Sequence, residues 1–204
     1  MLLKTYDRIL DLFHENHGYM SFRQMKDLGV TELQIQELKN RGVLECYARG
    51  HYWCPLAGYQ KPSDYKYVEV GHAFPSAVLC MDTAAWLQGL TGQEPEEVSL
   101  ATTRENRQKV SIYFPVHRYY FQNTGDPKEI QVVRTKFGSF RVYEKDRVIC
   151  DCIRMERELK EGFVDEIIRN YQPGRKQVER IISYGRQLRA YRPVKAKMEK
   201  LGLL

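Results

Sequence analysis

The sequence predicts an α+β protein in two parts, a small helical head with a hairpin and a larger mixed region behind it. Three observations lead there. Residues 2–42 carry apolar side chains at three- and four-residue steps, punctuated by Gly18, Gly29 and Gly42, the pattern of short amphipathic helices with left-handed ends. Residues 55–64 hold two prolines and a glycine with neither helical nor strand period, as a linker does. Beyond them strand-like segments come first and helical ones last, the order of an α+β domain. The expected boundaries are therefore 1–62 and 63–204.

In chain order, Leu3, Tyr6, Ile9, Leu10 and Phe13 define the apolar face of a first helix over 2–16 that ends at Gly18. Ser21 and Gln24 form an S-x-x-Q capping box, so a short second helix runs from Phe22 to about Leu28 and stops at Gly29. Thr31 and Gln34 repeat the box and open a third helix that closes at Gly42. Two short helices joined through Gly29 have the dimensions of a helix-turn-helix. Residues 43–48 and 51–54 are strand-like and are joined by Arg49-Gly50, so the head reads as a winged helix-turn-helix.

A helix offered to a major groove needs one apolar face and one free face. Ile35 and Leu38 mark the buried side of the third helix. Leu33, Gln36, Glu37 and Asn40 fall opposite, with Gln34, Lys39 and Arg41 at the flanks. Gln and Asn bond adenine bidentately, and Lys or Arg bond guanine. Arg49 and His51 at the hairpin tip suit phosphates or a minor groove, and Arg23 on the second helix suits backbone phosphate. Thr31, at the cap of the third helix, is counted with them.

In the second part, Pro75 and Ser76 introduce an expected helix over 77–90. Strands are expected at 98–102, 110–114, 116–121, 130–135 and 140–143, with a turn cluster at 123–127. The pattern is helical from Lys145. Pro173-Gly174 breaks it before a long expected helix over 175–192, with Val178, Ile181, Ile182 and Leu188 on one side. Lys176, Arg180, Ser183 and Gln187 face away, with Arg175 and Arg186 at the margins. Residues 169–204 contain ten basic and two acidic residues. That density is an electrostatic footprint suited to phosphates, or else a solvated helix face.

Composition narrows the function classes. The 204 residues include 32 basic and 26 acidic side chains, a formal charge of +6, with 43% hydrophobic and 28% charged residues. Such usage excludes a disordered chain, a collagen-like repeat and a coiled-coil rod. The longest apolar runs are too short to span a bilayer, and no charged start leads into an apolar stretch. A cytoplasmic location is expected, with Cys46, Cys54, Cys80, Cys150 and Cys152 as reduced and mostly buried thiols. His14, His17, His51, His72 and His117 show no metal-ligand spacing, so neither metal nor cofactor is expected. No nucleophile elbow or phosphate-binding loop is present. Asp146 and Asp151 lie five apart on a helix-like stretch, not paired on one strand as nucleotidyl transfer requires. Asp151, Glu156, Glu158 and Lys160 read as helix-surface residues rather than a nuclease centre. The chain is therefore expected not to be an enzyme.

These residues resemble the AbiEi-type antitoxins of bacterial type IV toxin–antitoxin systems. The resemblance runs through the head from Gly18-Tyr-Met-Ser-Phe-Arg-Gln-Met-Lys-Asp-Leu-Gly-Val-Thr31 and Arg41-Gly-Val-Leu44 to Arg49-Gly-His-Tyr52. It continues in Pro75-Ser-Ala-Val78, Thr83-Ala-Ala85 and Gly89-Leu90, then Pro95 and Val98-Ser-Leu-Ala-Thr102. It ends in Tyr143-Glu-Lys-Asp-Arg147 with Asp151. Thr83 stands where the family more often has serine. The resemblance implies a head that binds inverted repeats in its own promoter and represses the toxin–antitoxin operon. It implies a second domain that counters a nucleotidyltransferase-like toxin, in phage defence by abortive infection, without necessarily forming a complex with it. The base-reading candidates become Gln34, Gln36, Lys39, Asn40 and Arg41. The phosphate candidates are Arg23, Arg49, Lys176, Arg180 and Arg186. Two rivals stay open: a ligand-responsive transcription factor with a pocket lined by Tyr113, Tyr119 and Tyr120, and a protein-interaction module or decayed nuclease without DNA contact.

Overall fold

A computed structural model describes residues 2–122 and 125–204; the start of the expected turn at 123–127 lies outside them. Among the described residues the chain is α+β, with nine α-helices and two sheets. It divides into two compact units. The first holds the chain as far as Ser76 together with Gln108–Pro115 and Val133–Phe140, and the second holds the rest. The sequence placed one clean break near residue 62. The first unit instead runs on to Ser76 and takes in two later segments, which a linear scan for linkers does not register.

In the first unit, α1 (Leu3–Glu15), β1 (Tyr19–Ser21), α2 (Phe22–Asp27), α3 (Glu32–Asn40), β2 (Glu45–Ala48) and β3 (His51–Trp53) follow in order. Ile9, Phe13, Met25, Val30, Ile35 and Leu38 meet in one apolar core. Leu3, expected on that core, is exposed instead, because it stands in the opening turn of α1. Both capping boxes form: Ser21 Oγ accepts from Gln24 N–H at 3.2 Å, and Thr31 Oγ1 accepts from Gln34 N–H at 3.3 Å. Gly29 and Gly42 take left-handed φ. The residue after each, Val30 or Val43, donates its N–H back to Met25 or Leu38 and buries its own side chain, so hydrogen bonding and burial end the helix together. β1 was not foreseen. It pairs antiparallel with β3, Tyr19 opposite Trp53, and places β3 between β1 and β2.

The expected linker is a packed strap. Lys61 within it is half-buried, 5.0 Å from the Tyr113 ring centroid and 5.4 Å from that of Tyr65. It reaches Glu69 at 3.2 Å and Glu45 at 3.1 Å. Glu69 lies on α4 (Tyr65–Ala73), a helix the sequence did not announce, since its β-branched and aromatic residues are poor helix formers and most of it is buried. Glu69 has no exposure and accepts from the Tyr19 hydroxyl at 3.2 Å. Burial pushes its carboxyl up, and Lys61 and Tyr19 pull it back. Gly71 lets α4 touch residues 139–140: a Cβ there would stand 2.0 Å from the Ser139 carbonyl oxygen.

The second unit is built on a sheet ordered β6-β5-β4-β8-β7, from β4 (Val78–Leu79), β5 (Val98–Thr103), β6 (Val116–Phe121), β7 (Ile130–Thr135) and β8 (Gly138–Tyr143). The far ends of β7 and β8 count with the first unit. The helix expected over 77–90 is a two-residue strand followed by α5 (Met81–Leu87). Leu79 pairs with Leu100 and with Val142, and Met81 turns the chain at φ +52°. Adjacent β5 and β6 run parallel and so need a long crossover rather than a hairpin. Residues 104–115 supply it, and the strand expected at 110–114 is only a bridge from Ile112 to Ala48 in the first unit. α6 (Lys145–Arg154) is buried from Asp146 to Ile153. α7 (Phe163–Tyr171), α8 (Arg175–Gln187) and α9 (Tyr191–Lys200) complete the unit. The helix expected over 175–192 is thus two, turned at Arg189 with φ +57°. Gly185 brings α8 against Val194 of α9.

Gly71→Ala is expected to cost about 3 kcal/mol, because backbone rather than a flexible side chain must yield; urea unfolding measures it. Lys61→Met is expected to cost about 3–5 kcal/mol by leaving Glu69 buried without its cation. A raised native pKa means that the native state holds a proton the unfolded chain has lost. The stability of this variant is therefore full below pH 4.5 and falls as pH rises through the native value. Unfolding curves from pH 4 to 8 against the parent test the sign.

Candidate nucleic-acid interface

α3 offers the surface the sequence reserved for it. Ile35 and Leu38 are buried, whereas Leu33 is 83% exposed and Gln36 and Asn40 are exposed. Thr31 and Gln34 are tied into the cap, with Gln34 Oε1 accepting from Thr31 N–H at 2.9 Å. They fix where α3 begins, and their side-chain oxygens are spent on that task. Gln36 Nε2 donates to Asn40 Oδ1 at 3.1 Å. This i, i+4 bond does not use the acceptor oxygen of Gln36 or the donor nitrogen of Asn40, the kinds of group an adenine edge pairs with. Glu37, the acidic residue beside that exposed row, is held by Arg41 at 2.6 Å. Lys39 is half-exposed.

Arg23 on α2 is exposed, 4.0 Å from Asp27, a pair worth little in water and easily exchanged for phosphate. Arg49 is exposed at the hairpin tip, where Gly50 takes φ +73° and its carbonyl accepts from Phe22 N–H at 2.7 Å. That bond ties the tip to the start of α2. His51 Nδ1 meets the Arg49 carbonyl at 3.1 Å. All nine head candidates therefore lie on α2, α3, its caps and the hairpin of the first unit.

The basic face of α8 is largely engaged within its own unit. Arg180 Nε lies 2.6 Å from Asp146 Oδ2, Arg175 pairs with Glu179 at 3.1 Å, and the Arg186 guanidinium lies 5.0 Å from the Tyr191 ring centroid. Lys176 is exposed. The charge density read from the sequence over 169–204 is offset further by Lys197, which meets Glu156 at 2.6 Å and Asp165 at 2.7 Å.

Asp146 and Asp151 are fully buried, which corrects the surface reading of Asp151. Arg147, also buried, donates to Asp151 at 2.8 Å and to Glu129, and Arg154 meets Asp151 at 2.9 Å. Tyr171 donates to Asp146 at 2.7 Å. Glu144 caps the helix through the N–H groups of Asp146 and Arg147. The stretch from Tyr143 to Asp151 is thus a helix cap followed by a buried ion pair one turn apart. The Thr83 hydroxyl accepts from Ser99 N–H at 2.8 Å, a bond serine would also make. Gly89 ends α5 with Leu90 N–H bonded to the Ala85 carbonyl at 2.8 Å. His14, in the last turn of α1, bonds the Ala57 carbonyl at 2.8 Å.

Tyr113, Tyr119 and Tyr120 do not line one pocket. Tyr119 is buried and Tyr120 exposed on opposite faces of β6, and Tyr113 belongs to the first unit. Among the described residues no cluster of His, Cys, Asp or Glu could hold a metal, and no helix is long and apolar enough to cross a membrane. Sequence reasoning missed a cavity of about 480 Å³ in the first unit, lined by Arg49, His51, Phe74, Gln108, Lys109 and Ser111 among others. Its only sequence signal was the basic stretch around Arg104, Arg107 and Lys109, which no periodicity assigned to the hairpin.

No protein-family model and no curated protein matches the chain. Among solved structures it is similar to the crystal structure of the RV2827C protein from Mycobacterium tuberculosis, at 12% identity and a TM-score of 0.62, over 90% of this chain and 72% of that one. At that identity the likeness is one of fold.

Arg180→Ala is expected to cost about 1–2 kcal/mol of stability, discounted for the guanidinium's exposure, because it strands a buried carboxylate. Lys176→Ala is expected to change stability by under about 0.5 kcal/mol. Paired denaturation curves separate the two.

Proposed function

We propose that residues 1–62 form a winged helix-turn-helix that reads duplex DNA, and that the protein is an autorepressing antitoxin of the AbiEi type. The observation that carries the DNA reading is the division of α3. Ile35 and Leu38 anchor it in the core, and an outward row of Leu33, Gln36 and Asn40 carries a preset Gln36–Asn40 hydrogen bond. Amides held in advance lose less entropy on meeting a base edge. An exposed leucine on that row suits a thymine methyl group. Arg23, Arg49 and His51 add groups for phosphate, Lys39 and Arg41 add groups for guanine, and the Glu37–Arg41 pair offsets the repulsion an isolated carboxylate would bring.

The antitoxin role rests on the resemblance of the head, the α5 region and the α6 entrance to that family. Its operator is expected to be an inverted repeat upstream of its own gene, bound by two heads. The second unit is expected to counter a nucleotidyltransferase-like toxin encoded beside it. The reading involves no catalysis by this chain.

Titration of the full chain against duplex from upstream of its own gene, beside scrambled duplex and over a salt series, tests the DNA reading. Site-selective binding with a steep salt slope is expected; equal weak binding to both duplexes would overturn it. Asn40→Ala is expected to cost about 1–3 kcal/mol and to relax preference at one base pair, whereas Arg23→Ala weakens all sequences alike. Growth rescue on co-expression with the neighbouring toxin tests the antitoxin role.

A further inference from the structure

The cavity beside the hairpin tip sets basic and polar side chains beside apolar ones. Its walls carry Arg49 and His51 from the hairpin and Gln108, Lys109 and Ser111 from the crossover, and no carboxylate lines it. Its floor is Ala48, Ala73 and Phe74, all buried. The two walls are locked together by main-chain pairing. Ile112 bridges to Ala48, and Tyr113 N–H donates to the Tyr47 carbonyl at 3.1 Å. Gln108 Nε2 adds a bond to the Ala73 carbonyl at 3.4 Å. Two long cations thus reach one space from backbones that are fixed relative to each other, the preorganisation an anion site needs. A volume of about 480 Å³ far exceeds a lone phosphate and lies within the range of small-molecule sites. An apolar floor beneath a basic rim suits a phosphate that carries a sugar and a planar base.

We propose that this cavity binds the phosphate of a nucleotide, with Arg49 and Lys109 as its charge partners, His51, Gln108 and Ser111 as hydrogen-bonding groups and Phe74 beneath the base. The same phosphate chemistry has two sources, a free nucleoside monophosphate and the backbone of bound DNA. Only the second source rests on the DNA reading above. Lys109, remote in sequence from every head candidate, belongs to this site alone, and its exposure makes its replacement harmless to the core.

The test is calorimetric titration of the full chain with AMP, adenosine and inorganic phosphate, repeated on Lys109→Ala and Lys109→Arg, with the upstream duplex as a second ligand. Saturable one-site binding of AMP, none of adenosine, at least a tenfold loss in Lys109→Ala and retention in Lys109→Arg are expected. If AMP also displaces duplex and Lys109→Ala weakens duplex binding, the backbone is a natural source of the phosphate. If AMP binds and duplex affinity is unchanged, the source is a free nucleotide; both results support the site. Gln36→Ala is expected to lose site-selective DNA binding and keep AMP binding; a parent chain that binds AMP but shows no preference for the upstream duplex fails the DNA reading alone. Absence of AMP and phosphate binding, with duplex affinity of Lys109→Ala within twofold of the parent, overturns the proposal.

Discussion

A carboxylate without exposure must find its partners inside the protein, because moving an ion out of water costs several kcal/mol even after relaxation. Glu69 imposes that condition on the first unit. Its oxygen is met by Lys61 and by the Tyr19 hydroxyl, so the strap, the first strand and α4 must arrive at one place. Lys61 in turn takes Glu45 and the Tyr113 hydroxyl, adding the hairpin and the crossover. Tyr19 stacks on His72, which bonds the Phe137 carbonyl at 2.8 Å. Burial lowers the pKa of His72 and so favours the neutral ring, whose Nε2–H donates to that carbonyl. Segments scattered from residue 19 to residue 137 are assembled around one charge.

The second unit repeats the logic with the sign reversed. Arg147 is buried on the central helix, balanced by Asp151 and Glu129 and laid over the Tyr143 ring at 4.5 Å. Asp146, its neighbour in sequence, is met by Tyr171 and Arg180 from two other helices. Buried ion pairs add little net stability against an apolar core of the same shape, but an unmatched one is costly. They act as register pins, and they explain why much of the basic charge of the C-terminal helices is spent internally.

The outward face of α3 stands apart from both networks. Its caps and its two buried residues fix it to the core, and two pairs run along it, Gln36 with Asn40 and Glu37 with Arg41. A surface whose side chains are ordered yet uncommitted to the fold can exchange those weak local pairs for a ligand at small cost. The cavity beside the hairpin has the same character, with its cations on the rim and its backbone locked beneath them.

Local spacing accounts for whatever depends on neighbours three to five residues apart. The two capping boxes, the glycine-ended helices, the Arg49-Gly50 turn and the buried and exposed sides of α3 all follow from local spacing, and so does the basic character of the C-terminal helices. Tertiary structure decided the rest. β1 exists because Tyr19 meets Trp53, and the two-residue β4 exists because it has a partner on each side. α4 holds against its own propensity because it is buried, and Asp151 and Lys61 took roles no spacing assigned. Each of these rests on another segment of chain: Tyr19 and Glu69 are 50 residues apart, Lys61 and Tyr113 are 52 apart. A helix cap reports its partner within one turn. A buried charge reports only that a partner must exist, and the fold alone says which.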